Sequence, residues 1–397
     1  MSRNIPPHGS HPEKGLVQRM KELGDGGTIS GKWRPSITLS SLEAGDLIML
    51  GTGAYTPLEG FMNKSDYSAV IEKMRLRDGT IWPLSIVLSA SAEEAEACTP
   101  GATVWLKEEG WEQPMGSIQV EEVFARDKEK EADQVFGTQD TAHPGVKKLM
   151  ESKDYCIAGE ITLYSEGDLP KRFPEYARPA ETRALFEELG WEKIAAFQTR
   201  NPMHRSHEYL TKMALETMDG IFIHPVVGRL KEGDIPAEVR IACYKKLLAA
   251  YYPPERVVLR VFPLEMRYAG PREAVLHAII RQNFGCSHII IGRDHAGVGD
   301  YYGPYEAQDI FDGIPREELA IEPIKAEWAF WCRRCAQMAS KKTCPHGEDQ
   351  HLHISGTKLR SMLAANTDIP EEISRPEVAA VLKAYIADKK EKRRVNI

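Results

Sequence analysis

From Thr182 onward the chain alternates short apolar runs with segments of helical spacing, and this rhythm leaves few folds open. Ile194 to Phe197, Ile221 to Val227, Val257 to Phe262 and His288 to Gly292 read as strands. Thr182 to Leu189, a segment from Pro202 to Gly220, Ala237 to Tyr251 and Arg272 to Phe284 read as the helices between them. In the helix from Pro202, the residues Met203, Leu210, Met213 and Ala214 supply the stripe to be buried. Such a succession predicts a parallel, doubly wound sheet, Rossmann-like, in which ligands bind beyond the carboxyl ends of the strands. Two polar stretches fall at such ends, Gln198 to His207 and Gly292 to Gly297.

At 397 residues the chain exceeds one typical core. Ahead of the alternating region, Trp82 to Ser89, Ala102 to Leu106, Ser117 to Val123 and Ile157 to Leu163 read as short strands, with a helix at Ser65 to Met74. They predict an α+β domain with a small barrel-like sheet. Asp127 to Asp133 reads as a solvated helix or loop, and Gly167 to Pro179, with three prolines, as a linker. Beyond Ala326 come cysteines and histidines, then a charged helical tail ending in the basic stretch Lys389 to Arg394. The expected division is 1–175, 176–326 and 327–397, an α/β multidomain protein.

A formal charge of -7 and a pI near 6.0 argue against a chain that coats nucleic acid. Met1 to Lys14 lacks the apolar core of a signal peptide, and no apolar run reaches the length of a membrane span. A cytoplasmic protein is expected.

The stretch Gln198-Thr199-Arg200-Asn201-Pro202-Met203-His204-Arg205-Ser206-His207 reads as a helix start, with Asn201 as N-cap and Pro202 at the first helical position. His204 and His207 then share one face, beside free backbone N–H groups and the positive end of the helix dipole. Within the stretch from Gln198 no acidic side chain precedes Glu208. This is a site for anions, and it suggests a nucleotidylyltransferase, whose task is to neutralise charge on phosphate oxygens. A zinc-protease reading fails because H-E-x-x-H is absent. No phosphate-binding G-x-x-x-x-G-K-[ST] loop occurs either, so a fused kinase is not expected. Arg293-Asp294-His295 reads as a ligand contact or, locally, as an ion pair at a strand end. Cys332-x2-Cys335-x8-Cys344, followed by His346, His351 and His353, suits tetrahedral zinc. His351 is the preferred fourth ligand, because the C-x-H spacing of His346 is tight. Free thiols without metal are the alternative.

Four motifs together resemble those of the sulfate adenylyltransferases (ATP sulfurylases), in particular bacterial and archaeal members, some of which carry zinc. They are Tyr55-Thr56-Pro57-Leu58-Glu59-Gly60-Phe61-Met62, Gln198 to His207, Gly292-Arg293-Asp294-His295-Ala296-Gly297, and Ile354-Ser355-Gly356-Thr357-Lys358-Leu359-Arg360. The resemblance implies a PUA-like N-terminal domain, a catalytic α/β domain and a small zinc-containing α/β C-terminal domain. It implies that ATP and sulfate give adenosine 5′-phosphosulfate and diphosphate by in-line attack, with Mg2+ carried by ATP. Gln198, Arg200 and the backbone near Ala296 would hold sulfate. Thr199, Arg200, Asn201, His204 and His207 would be catalytic. Gln198, Asn201, His204, His207, Gly292, Arg293, Asp294 and His295 would hold the nucleotide. Leu264 to Pro271 resembles a segment on the nucleotide side, with Met266 and Arg267 either near substrate or in core and surface. A homodimer or higher homo-oligomer is the family expectation. Two alternatives are an adenylyltransferase with another acceptor and a PUA/zinc RNA-binding protein, the latter disfavoured by the acidic charge.

Overall fold

The computed structural model describes residues 5–9, 15–21, 33–228, 234–354, 356–365 and 367–395. Parts of the polar Met1 to Lys14 stretch, Ser355 of the fourth motif and the side chains of 390–395 in the basic tail lie outside the described set.

The first sheet contains β1 (Ser36–Leu39), β2 (Gly60–Phe61), β3 (Leu88–Ala90), β4 (Thr103–Glu108), β5 (Gly116–Ala125) and β6 (Tyr155–Leu163). Its order is β1-β4-β5-β6-β2, with β3 also pairing β6. All pairs are antiparallel except β1 with β4. No pair joins β1 to β2 or β3 among the described residues, so the ladder runs as an open path. β5 bulges between Val120 and Glu122 opposite Gly159. Gly159 has a φ of +149°, and a Cβ there would lie 1.9 Å from Gln119 O, so only glycine lets the strands approach.

The second sheet contains β7 (Ile194–Phe197), β8 (Gly220–Ile223), β9 (Val257–Leu259), β10 (His288–Ile291) and β11 (Glu322–Lys325). All neighbours are parallel, in the order β11-β10-β7-β8-β9. β7 and β8 are buried along their whole lengths, as their Ile, Ala and Phe content requires of strands covered on both faces. From β7 the chain winds outward to β9, then returns to β10 on the other side. The strand order therefore reverses between β7 and β10, and both polar stretches follow these two strands. A third, antiparallel sheet, β13-β12-β14, comprises β12 (Ala329–Cys332), β13 (Gln337–Ser340) and β14 (His351–His353). Helix Pro376–Val395 closes the fold by packing on helix Ala237–Tyr251.

Three expectations need correction. The helix after β7 begins at Arg205, not Pro202, with His204 in the N-cap position. Gly167 to Pro179 is not a free linker. It contains a helical turn at Leu169–Arg172, buries Leu169 and Phe173, and ties Glu166 to Arg178 and Tyr176. Nor is Asp127 to Asp133 wholly solvated. Glu131 is buried and accepts from Arg126, Ser85 and Tyr67. Local charge could not reveal that Arg126 would follow it inside.

The N-terminal unit grips the strap that follows β9. The Arg267 guanidinium donates to both oxygens of Asp46, at 2.7 and 2.6 Å, with side chains only 10% and 5% exposed. Glu265 accepts from Ser41 and pairs with Lys148. Removing one partner of a buried pair strands the other. Asp46→Ala should thus destabilise the fold by about 3–5 kcal/mol, read as a lowered denaturant midpoint; an unchanged midpoint would refute the role given to this pair.

Candidate active site

After β7 the chain does not enter the helix directly. Asn201 N donates to Thr199 Oγ1 at 3.1 Å, Tyr244 OH donates to Asn201 O at 2.6 Å, and Arg360 Nη1 donates to Asn201 Oδ1 at 2.7 Å. The Asn201 side chain is thus occupied by the C-terminal unit, which is why it does not cap the helix. The extended backbone of His204 starts the helix instead, and its carbonyl accepts from Glu208 N. Arg205 N, an unpaired donor by helix geometry, is satisfied by Ile373 O at 3.0 Å.

The imidazoles of His204 and His207 stack with centroids 3.7 Å apart and planes 18° off parallel. Nδ1 of each is buried and has no hydrogen-bond partner among the described residues. Burial pushes His204 down to about 4, and burial together with the neighbouring His204 pushes His207 well below its ordinary range. Both rings are neutral at pH 7, each with one N–H to offer. Arg200 brings the permanent positive charge. Its Nη1 donates to Tyr268 OH at 2.7 Å, its guanidinium lies 5.0 Å over that ring, and Asp234 Oδ2 stands 3.8 Å away.

The turn after β10 forms the facing wall. Asp294 and Ala296 adopt φ of +54° and +57°, conformations L-residues rarely hold, and Tyr268 on the strap adopts +61°. Asp294 and Ala296 line the cavity and Tyr268 holds Arg200 beside it, so strained backbone gathers at this site. Arg293 lies 4.1 Å over Trp328 and 3.1 Å from Asp294 Oδ2. His295 Nε2 lies 3.0 Å from Nδ1 of His277, and Ala296 O accepts from Gly270 N.

The walls enclose a cavity of about 320 Å³. It is lined by Gln198, Thr199, Arg200, Asn201, His204 and His207 from one side, and by Gly292, Arg293, Asp294, His295 and Ala296 from the other. The two stretches picked from the sequence therefore meet. Met266 joins the lining, whereas Arg267 is turned away to Asp46. Sequence reasoning missed Trp328, Tyr268, His277 and Arg360. Tyr268 and Arg360 lie inside motifs already singled out, but nothing in their spacing announced which side chain each would hold. Trp328 and His277 carried no signal.

A second cluster lies beside β12. Cys332, Cys335, Cys344 and His346 bring one ligand atom each to within 4.8 Å of one another. His346 Nδ1 lies 3.4, 3.2 and 3.6 Å from the three sulfurs, and Cys335 Sγ lies 3.8 Å from Cys344 Sγ. His351, the ligand expected from the sequence, approaches only Cys344, and its ring stacks on Phe330 at 3.6 Å. The correction has a local cause. Thr343 and Cys344 both donate to Ser340 O, and this tight turn swings His346 back over the thiols. Burial opposes ionisation of Cys332, yet the Cys335 N–H and donors from Cys344, Cys335 and His346 bring its thiol down to about 6.

A parallel sheet whose polar loops meet at its point of reversal is a frame for ligand-binding proteins, and comparison with known sequences identifies the family. The family pattern for ATP-sulfurylase matches residues 175–385, and that for a PUA-like domain matches residues 5–166. A sulfate adenylyltransferase of Psychrobacter sp. (strain PRwf-1) is 52% identical over 386 residues, covering 96% of this chain and 92% of that protein. One from Chlorobaculum tepidum is 52% identical over 357 residues, covering 90% and 88%. Among solved structures, a hexameric APS kinase from Thiobacillus denitrificans superposes with a TM-score of 0.72 at 26% identity, covering 96% of this chain and 68% of that one. The chain belongs to the ATP-sulfurylase family. Among the described residues no helix is long and apolar enough to cross a membrane.

The neutral histidines set a pH dependence. An unfolded His204 binds its proton near 6.5, the folded one only near 4. Between those values the unfolded chain holds more protons, so stability rises with pH across the window and is lost as acid is added. The melting temperature should fall from pH 6.5 towards 4, and less steeply in His204→Asn. Equal slopes in the two proteins would show that His204 is not the group responsible.

Proposed function

We infer that this protein is a sulfate adenylyltransferase that converts ATP and sulfate to adenosine 5′-phosphosulfate and diphosphate. The observation that carries the reading is the meeting of the neutral His204–His207 pair, Gln198 and Arg200 with the Gly292–Ala296 turn around one cavity. In this reading Gln198, Arg200 and the backbone at Ala296 hold sulfate, and Gly292, Arg293, Asp294 and His295 frame the nucleotide. A sulfate oxygen attacks the α-phosphorus in line, and the bond to the diphosphate oxygen breaks with its electron pair leaving on diphosphate. Thr199, Arg200 and Asn201 lie beside the reacting phosphorus, while His204 and His207 donate N–H to the oxygens on which charge builds. Sulfate is a weak nucleophile, so most of the gain comes from orientation. Magnesium enters with ATP as part of the substrate.

The five-stranded sheet is read as a Rossmann-like catalytic domain, within the division 1–175, 176–326 and 327–397. A cytoplasmic homo-oligomer, dimer or higher, completes the picture. At the second cluster the donor set fits zinc. Tetrahedral ligands at Zn–S of about 2.3 Å stand about 3.8 Å apart, and mixed S–N edges are slightly shorter, the pattern found around His346. Cys332, Cys335, Cys344 and His346 would hold the ion, which would staple the small sheet and take no part in the reaction.

Diphosphate release from MgATP should depend on sulfate when pyrophosphatase is present to draw the reaction forward; release supported by a different acceptor alone would reassign the substrate. His204→Ala and His207→Ala should each keep the fold and lower kcat by about two orders of magnitude. Near-normal turnover in either would remove that residue from the mechanism. Cys335→Ser should lose bound zinc and lower the melting temperature while sparing turnover in the cold; metal analysis that finds no zinc in the purified wild type would end the proposal.

A further inference from the structure

His277, fully buried on helix Gly270–Asn283, touches both walls of the cavity. Its Nε2 lies 3.2 Å from the Gln198 amide Nε2 and 3.4 Å from Oε1 of Glu273, one turn earlier on the helix. Its Nδ1 lies 3.0 Å from Nε2 of His295. Glu273 is equally buried, and its two oxygens accept the backbone N–H groups of Arg267 at 2.9 Å and Ala269 at 3.0 Å. An ionised carboxylate is an acceptor and nothing else.

Two arrangements of protons are open to this group. With the His277 proton on Nδ1, the lone pair of Nε2 faces a carboxylate oxygen in a dry interior. Gln198 must then turn its NH2 to the imidazole, and its Oε1 is left buried with no donor. Both defects are costly. With the proton on Nε2, His277 donates towards Glu273, and the Gln198 amide turns over so that Oε1 shares this donor. Amide nitrogen and oxygen exchange places by rotation about one bond, without moving the backbone. The NH2 of Gln198, a residue lining the cavity, is then without an acceptor in the protein, and the oxygen of a bound anion fills that need. Nδ1 of His277 meanwhile accepts a hydrogen bond from His295 Nε2–H.

We propose that His277 is a positioning residue, held as the Nε2–H tautomer by Glu273, which turns Gln198 into a hydrogen-bond donor for sulfate and fixes the proton of His295 on Nε2. The proposal rests on reading the cavity as the sulfate and nucleotide site. It gives the sulfate side and the nucleotide side one common support that neither motif contains.

Long-range 1H–15N correlation of histidine-labelled protein reads the tautomers directly, with His277→Gln and His295→Asn supplying the assignments. The expected spectrum has Nε2 protonated and Nδ1 bare in both residues. A proton on Nδ1 of His277, or on both of its nitrogens, overturns the proposal. In kinetics, Glu273→Gln removes the anionic acceptor at the cost of one backbone hydrogen bond, from Ala269 N, when its remaining oxygen stays on the side of Arg267 N and His277. Loss of one well-made hydrogen bond should raise KM for sulfate about tenfold while KM for MgATP stays within about twofold. A general loss of structure would move both constants together, and an unchanged sulfate KM would also overturn the role. If the wild type shows no sulfate-dependent turnover at all, the functional reading fails, while the tautomer spectrum still decides the hydrogen-bond assignment.

Discussion

A parallel sheet buried on both faces has nowhere to display polar chemistry except where its strands stop. In this protein β7 and β8 are covered along their full length, so the charged and hydrogen-bonding groups of the cavity come from the loops beyond the strand ends and from the first turn of the helix after β7. The reversal of strand order between β7 and β10 opens the only gap those loops need. The remainder of the molecule can be understood as support for that gap. The strap after β9 is held from the N-terminal unit through Asp46, Ser41 and Lys148, and it delivers Tyr268 to Arg200.

The electrostatic character of the site follows from the same burial. The cavity does not simply collect cations, because burial holds the stacked imidazoles of His204 and His207 below their ordinary range. Arg200 and Arg293 carry the fixed charge, each laid over an aromatic ring, Tyr268 and Trp328 respectively. The histidines contribute directed N–H groups. Attraction and aim are divided between different residue types.

What could be read from the sequence was whatever repeats with a physical period. The strand–helix alternation from Thr182 needs only the burial of apolar side chains, and Ile194–Phe197 was legible to the residue. The two polar stretches stood out because their residues share a purpose and sit at strand ends. Partnerships over long separations were not legible. Asn201 has every local mark of an N-cap, yet Arg360 takes its side chain, and the helix starts later. Spacing favoured His351 as the companion of the three cysteines, but the turn around Ser340 brings His346 closer to all three sulfurs. Prolines made Gly167 to Pro179 look like a tether, although Glu166 and Phe173 pack it down. The helix start and the supposed tether were misread because of partners outside the local pattern, and the histidine because of a turn whose geometry the spacing did not reveal.

The Asn201–Arg360 hydrogen bond spans 159 positions of the chain, and Ile373 supplies the acceptor that settles the start of the helix bearing His207. In chain order all five strands of the central sheet, the last ending at Lys325, precede both of these anchors. A chain ending before Arg360 contains all five strands of that sheet and lacks both anchors of the loop after β7.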